Sequence, residues 1–147
     1  MLLVKNAEIY APEYLGVKDI LIAGGRIERI ADHLPEYEGC EVIDGTGKIV
    51  TPGIIDRHVH VTGGGGEGSF HTRTPELQMS ELVENGITTV VGLLGTDGIT
   101  RSVDNLYAKT RALCEEGVSA YMLTGAYGYP SPTLTGEIDR DIVFVKE

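Results

Sequence analysis

The sequence predicts an α/β chain in two parts: a small antiparallel β module over residues 1–50, then the opening strand–helix–strand units of a parallel sheet over residues 51–147. Two observations predict it. Short runs of Val, Ile and Leu, broken by Gly24-Gly25 and Asp44-Gly45, fill the first fifty residues. From Pro52 the rhythm becomes apolar runs alternating with stretches of helical period. Net charge does not separate the two parts, being −4 and −6.

In the first part, strands are expected at Leu2 to Tyr10, Val17 to Ile22, Arg26 to Ile30 and Glu41 to Ile43, with the two glycine-bearing pairs supplying hairpin turns. In the second, Ile54 to Val61 reads as a strand followed by a glycine loop. Thr74-Pro75-Glu76 then reads as helix cap, first-turn proline and an acid near the positive helix end. That helix should run to Asn85 and stop at Gly86. Ile87 to Leu94 is an uncharged apolar run, as expected of a parallel strand covered on both faces.

Val103, Leu106, Tyr107, Thr110, Leu113 and Cys114 recur at spacings of three and four between Ser102 and Gly117, which predicts a second helix with one apolar stripe. Val118 to Thr124 is the third strand. Asp139 to Glu147 opens another apolar run, helical or strand-like, with no terminator. Three βα units cannot close a barrel, which needs eight. The chain is therefore expected to be a piece of a longer polypeptide.

The 147 residues carry a formal net charge of −10. A field of that sign disfavours nucleic acid and anionic membrane surfaces, so neither is expected as a partner. With 41% apolar and 23% charged residues the composition is that of an ordinary globular chain. Cys40 and Cys114 lack ligand or redox spacing and read as buried thiols of a reducing compartment. Lys5 interrupts the N-terminal apolar run too early for a secretory signal, and the uncharged stretch Gly117 to Gly136 is too rich in Gly, Pro, Ser and Thr to span a membrane. A cytoplasmic location is expected.

The densest chemical signal is Thr51-Pro52-Gly53-Ile54-Ile55-Asp56-Arg57-His58-Val59-His60. Alternation along a strand puts Asp56, His58 and His60 on one face, with the two histidines about 7 Å apart at the backbone. Two imidazoles so placed can converge on a zinc-like cation, or can be a hydrogen-bonded pair ending a strand. Asp56 could fix an imidazole tautomer from behind. Next comes Gly63-Gly64-Gly65-Gly66-Glu67-Gly68, costly to order yet able to bring backbone amides close to a ligand. Glu67 is either a solvated acid or the counter-charge of a substrate ammonium.

Thr96-Asp97-Gly98 and Tyr127-Gly128-Tyr129-Pro130 leave the same end of the sheet. A tyrosine hydroxyl there could donate to a carbonyl oxygen gaining charge, or simply pack on its loop. His33 and His71 have no partner at ligand spacing and read as surface histidines. Gly45-Thr46-Gly47-Lys48 lacks the first glycine and the Ser or Thr of a phosphate loop, and Gly92-Leu93-Leu94-Gly95 lacks dinucleotide spacing.

A β module leading through Pro-Gly-x-x-Asp-x-His-x-His into βα units resembles the amidohydrolase superfamily. Within it, the glycine run with Glu67, Thr72-Arg73-Thr74-Pro75-Glu76, Val91-Gly92-Leu93-Leu94-Gly95-Thr96-Asp97, Ala108-Lys109-Thr110-Arg111-Ala112-Leu113 and Leu123-Thr124-Gly125-Ala126-Tyr127 resemble the isoaspartyl dipeptidase family. The resemblance implies a composite β-sandwich module followed by the first three units of a (β/α)8 TIM barrel. It implies that His58 and His60 ligate one zinc of a binuclear pair and that Glu67 holds the substrate's α-amino group. Gly65 and Thr96 would meet its α-carboxylate, and Tyr127 would polarise the scissile carbonyl. The implied reaction is hydrolysis of a β-aspartyl dipeptide by a metal-activated hydroxide, in a complete protein that forms a homo-oligomer.

The family's other metal ligands, a carboxylated lysine, two histidines and an aspartate, have no counterpart up to Glu147, nor do the arginines that bind the leaving amino acid. The 147-residue chain alone is thus expected to be inactive. Two rival readings remain: another amidohydrolase acting on cyclic amides or N-acyl amino acids, and a non-catalytic truncated module.

Overall fold

β1 (Leu2–Tyr10) is the strand on which the first unit is assembled. In the computed structural model, which describes residues 1–146, the chain parts into two units between Pro52 and Gly53. β1 pairs antiparallel with β2 (Tyr14–Ala23), and β2 with β3 (Arg26–Ala31) across a turn whose Gly24 and Gly25 both have positive φ, 55° and 74°, as a tight hairpin requires. Leu3, Ala7, Ile9, Ile20 and Leu34 are buried in this unit.

The module is not purely antiparallel. β4 (Glu41–Asp44) and the short β5 (Ile49–Val50) both pair parallel with β1, so Asp44-Gly45 does not close a hairpin. Its side chain instead makes a local turn, Asp44 Oδ1 accepting from the Thr46 amide at 3.0 Å. β1 also slips register between Val4 and Ala7, where Asn6 adopts φ 59°, a bulge with no apolar signature. The Asn6 amide there donates to Asp19 Oδ1 and the Leu34 amide to Asp19 Oδ2, both at 2.9 Å.

The second unit holds a parallel sheet in the order β6 (Ile54–Val59), β7 (Ile87–Gly92), β8 (Ser119–Met122). Helices α1 (Met79–Glu84) and α2 (Val103–Glu115) connect the strands, and α3 (Ile138–Phe144) follows. The last predicted run therefore forms a helix over most of its length, while Glu147 lies outside the described residues. Val103, Leu106, Thr110 and Leu113 are the buried face of α2, packed with Val90, Ala120 and Met122 of the sheet. Ser102 caps α2, its hydroxyl accepting from the Asn105 amide at 3.1 Å.

The expectation for β7 holds on one face only. Val90 and Gly92 are buried toward α2, whereas Thr89 and Val91 are half-buried, and Tyr121, the register partner of Val91, is exposed.

The first helix begins later than predicted, at Met79. Thr74 is not its cap because its groups are already used: its amide donates to the Gly64 carbonyl at 2.9 Å, and its hydroxyl accepts from the Gly64 amide at 2.7 Å. The Leu77 amide similarly donates to the Val61 carbonyl at 3.1 Å. Gln78 and Glu81 form the capping box instead, and Gly86 (φ 69°) follows the helix end as expected.

Candidate active site

All three parallel strands end on the same side of their sheet, and the residues just past them line one cleft of about 370 Å³, a size suited to a small ligand. His58, His60 and Glu67 come from β6 and its loop, Leu93 to Thr96 from the loop after β7, and Leu123 to Tyr127 from the loop after β8. Four predicted site residues and the tyrosine thus meet: His58, His60, Glu67, Thr96 and Tyr127. Gly65 lines an adjoining recess that shares Glu67 and Thr96 with the cleft.

The rings of His58 and His60 stand 5.4 Å apart between centroids and nearly perpendicular, at 80°. His60 Nδ1 lies 3.2 Å from the Leu93 carbonyl oxygen. A carbonyl can only accept, so Nδ1 carries the proton and Nε2 keeps its lone pair. Gly95 lets the ring lie there: a Cβ at that position would come within 2.3 Å of His60 Cε1, and its φ is +68°. Neither Leu93 nor Gly95 was singled out by sequence for this task. The Gly-Leu-Leu-Gly spacing was visible, but its purpose depends on which imidazole crosses it.

Asp56, expected behind an imidazole, has its Oδ1 on the His58 backbone amide at 3.0 Å, so it braces the strand end while the Leu93 carbonyl orients the ring of His60. Glu67 accepts a hydrogen bond from the Thr96 hydroxyl. That bond first, then the hydrogen bond of its own backbone amide, with smaller help from the Arg101 charge, holds its carboxyl below the usual carboxylate range. Glu67 is therefore a standing negative charge at neutral pH on the cleft wall. Tyr127 is exposed at the rim, its amide donating to the Gly95 carbonyl at 3.2 Å. His71 is exposed, and His33 is exposed with Nδ1 3.6 Å from Asp19.

The donor chemistry suits a borderline divalent metal: two imidazoles side by side, one with its tautomer fixed by a backbone carbonyl. They make half a tetrahedral shell. Among the described residues no cluster of three or more His, Cys, Asp or Glu could hold an ion by itself. His58 and His60 therefore fit as part of a ligand set.

No protein-family model matches the chain. A β-aspartyl dipeptidase from Fervidobacterium islandicum AW-1, solved in complex with β-Asp-Leu dipeptide, is 48% identical with a TM-score of 0.90, over 99% of this chain and 38% of that one. A dihydroorotase of Streptococcus pneumoniae is 34% identical over 81% of this chain. The chain belongs to the amidohydrolase superfamily. Superfamily relatives also include a D-hydantoinase from Thermus sp., 26% identical with a TM-score of 0.57 over 83% of this chain. The chain spans only part of these amidohydrolases: 28% of the dihydroorotase and 27% of the hydantoinase. These relatives place the chain in a family of hydrolytic enzymes. No helix among the described residues is long and apolar enough to cross a membrane.

Proposed function

We propose that this chain supplies the metal-binding and ammonium-binding wall of an active site that hydrolyses β-aspartyl dipeptides, with zinc as the ion. The observation that carries the reading is the meeting of an ionised Glu67, hydrogen-bonded by Thr96, with the His58 and His60 rings in one cleft. Similarity at 48% identity to a β-aspartyl dipeptidase crystallised with β-Asp-Leu supports the same substrate class.

In this reading Glu67 pairs with the substrate's free α-ammonium, and the backbone amides of Gly65 and Thr96 meet its α-carboxylate, the Thr96 hydroxyl proton being held by Glu67. Those contacts fix the aspartyl end and carry the β-amide toward the histidines. Tyr127 donates its hydroxyl proton in a hydrogen bond to the amide oxygen as that oxygen gains negative charge. His58 and His60 hold the ion, with the Leu93 carbonyl keeping the His60 ring in the right tautomer. A divalent ion bound there would acidify water and stabilise the developing oxyanion. The remaining donors, and the groups for the leaving amino acid, come from outside the described residues. The first unit is read as the composite β-sandwich module and the second as the opening βα units of a (β/α)8 barrel, in a homo-oligomeric protein. Cys40 and Cys114 are half-buried rather than buried as expected, and are not joined in a disulfide, which supports reading a cytoplasmic location.

The test is release of aspartate from β-Asp-Leu by the complete polypeptide. Glu67→Gln and Tyr127→Phe should each lower kcat/KM by roughly 10-fold to 100-fold, the worth of one charge-assisted hydrogen bond. Parental turnover in both would remove their roles. A second reading, hydrolysis of a cyclic amide, is favoured by the similarity to dihydroorotase and D-hydantoinase. Such a substrate has no ammonium for Glu67 to meet, so Glu67→Gln would leave its turnover unchanged.

A further inference from the structure

Arg101 lies between β7 and α2, only 6% exposed, and does not line the cleft described above. Its guanidinium donates in three directions at once. Nε reaches the Thr62 carbonyl at 3.1 Å, one terminal nitrogen reaches Asp97 Oδ2 at 3.0 Å, and the other reaches the carbonyls of Gly64 at 3.1 Å and Thr74 at 3.3 Å. Three of those four acceptors are main-chain oxygens of the glycine loop, Thr62 and Thr74 at its two ends and Gly64 within the run Gly63 to Gly66, which has no side chains with which to anchor itself. The fourth belongs to the residue next to Thr96.

Asp97 extends the clamp. Its Oδ2 also accepts from Arg73 at 2.8 Å, and its Oδ1 accepts from the amides of Ile99 and Thr100 at 3.1 and 2.8 Å. Burying a guanidinium is costly unless its protons are satisfied, and here the loop's own carbonyls do most of that. Without such a partner a four-glycine segment regains a large backbone entropy.

We infer that Arg101 is the positioning residue of the ammonium subsite: it fastens the loop of Thr62 to Thr74 onto the loop of Gly95 to Arg101, and so sets the Glu67 carboxylate against the Thr96 hydroxyl. The inference rests on the reading of Glu67 as the ammonium partner, and Arg101 itself touches no substrate atom. Lysine cannot substitute, because a single compact ammonium does not reproduce a planar fork that serves Thr62, Gly64 and Asp97 together.

The experiment compares Arg101→Lys with the parent, both as complete polypeptide, on β-Asp-Leu and on succinyl-leucine, the same molecule without the α-amino group. The variant should lose about 10-fold or more of the parental preference for β-Asp-Leu, mainly through KM: succinyl-leucine, which keeps only the α-carboxylate contacts of Gly65 and Thr96, should lose less than β-Asp-Leu by that factor. Equal losses on both substrates would mean a general structural role and would overturn the inference. A parent that shows no preference for the ammonium substrate would remove the role of Glu67 instead, and the clamp is then judged by hydrogen exchange. The amides of Gly64 and Gly66, which donate to Thr74 and Thr72 hydroxyls, should exchange about 10-fold faster in Arg101→Lys while those of Val90 and Leu113 do not change. Unchanged protection of the two glycines overturns the proposal. If Arg101→Lys fails to fold, Asp97→Asn keeps the guanidinium but removes its anionic anchor, and the same two comparisons decide.

Discussion

His60 takes its chemical character from two residues with no ionisable group. The Leu93 carbonyl fixes which nitrogen holds the proton, and Gly95 leaves room for the ring. Gly95→Ala would drive a methyl group into the imidazole and strain a left-handed backbone, so zinc retained after dialysis of the complete polypeptide should fall well below that of the parent. Retention at the parental level would show that His60 is not held in this way. Asp19 is the corresponding case in the first unit, a buried carboxylate taking the amides of Asn6 and Leu34. Burial pushes its carboxyl up, but those two amides, with the charges of Lys5 and His33, outweigh burial and hold it below the usual carboxylate range. Asp19→Ala orphans both amides and should cost about 3 kcal/mol in urea unfolding at neutral pH. A carboxyl lowered on folding stabilises fully above its unfolded value and loses that contribution as pH falls through the folded one. The gap between parent and Asp19→Ala should therefore shrink below about pH 4, and a gap independent of pH would contradict the assignment.

At the scale of elements, α2 and the parallel strands were legible because burial itself writes the pattern. The stripe of Val103, Leu106, Thr110 and Leu113 is what packs on Val90 and Ala120, and Ser102 caps the helix where its position suggests. Leu106→Ala would open a cavity beside Gly92, where Leu106 Cδ1 stands 3.1 Å from the site a Cβ would occupy, and should cost about 3 kcal/mol in urea unfolding. A loss under about 1 kcal/mol would mean that the α2 packing described is wrong. The start of α1 was not legible. Thr74-Pro75-Glu76 is a good local helix start, but Gly64 and Val61 take the backbone groups of Thr74 and Leu77, and such long-range bonds leave no trace in local sequence. β4 was legible as a strand, but its parallel pairing with β1, and β5 altogether, were not, since both depend on a partner some forty residues away in sequence. In the site, the side chains that would do chemistry were visible as residue types, whereas the Leu93 carbonyl and Arg101, which position them, became visible only in three dimensions.

For the whole molecule the decisive features are what the cleft contains and what it lacks. Two imidazoles and one carboxylate line it, but they do not complete a metal shell among the described residues. Tyr121, Leu123, Ile54 and Ile55, in or next to the sheet, are exposed. The 147-residue chain alone should accordingly hold less than stoichiometric zinc after dialysis and release no aspartate from β-Asp-Leu. Full activity from it would show that these donors are sufficient. In the complete polypeptide, chelation should abolish turnover and added zinc should restore it; activity that survives removal of the metal would place the chemistry elsewhere. The most direct test of the account is the ratio of kcat/KM for β-Asp-Leu to that for dihydroorotate, measured on the zinc-loaded complete polypeptide. An ionised Glu67 built to meet an ammonium predicts a preference for the dipeptide of at least about 100-fold, and equal or faster hydrolysis of dihydroorotate would contradict it.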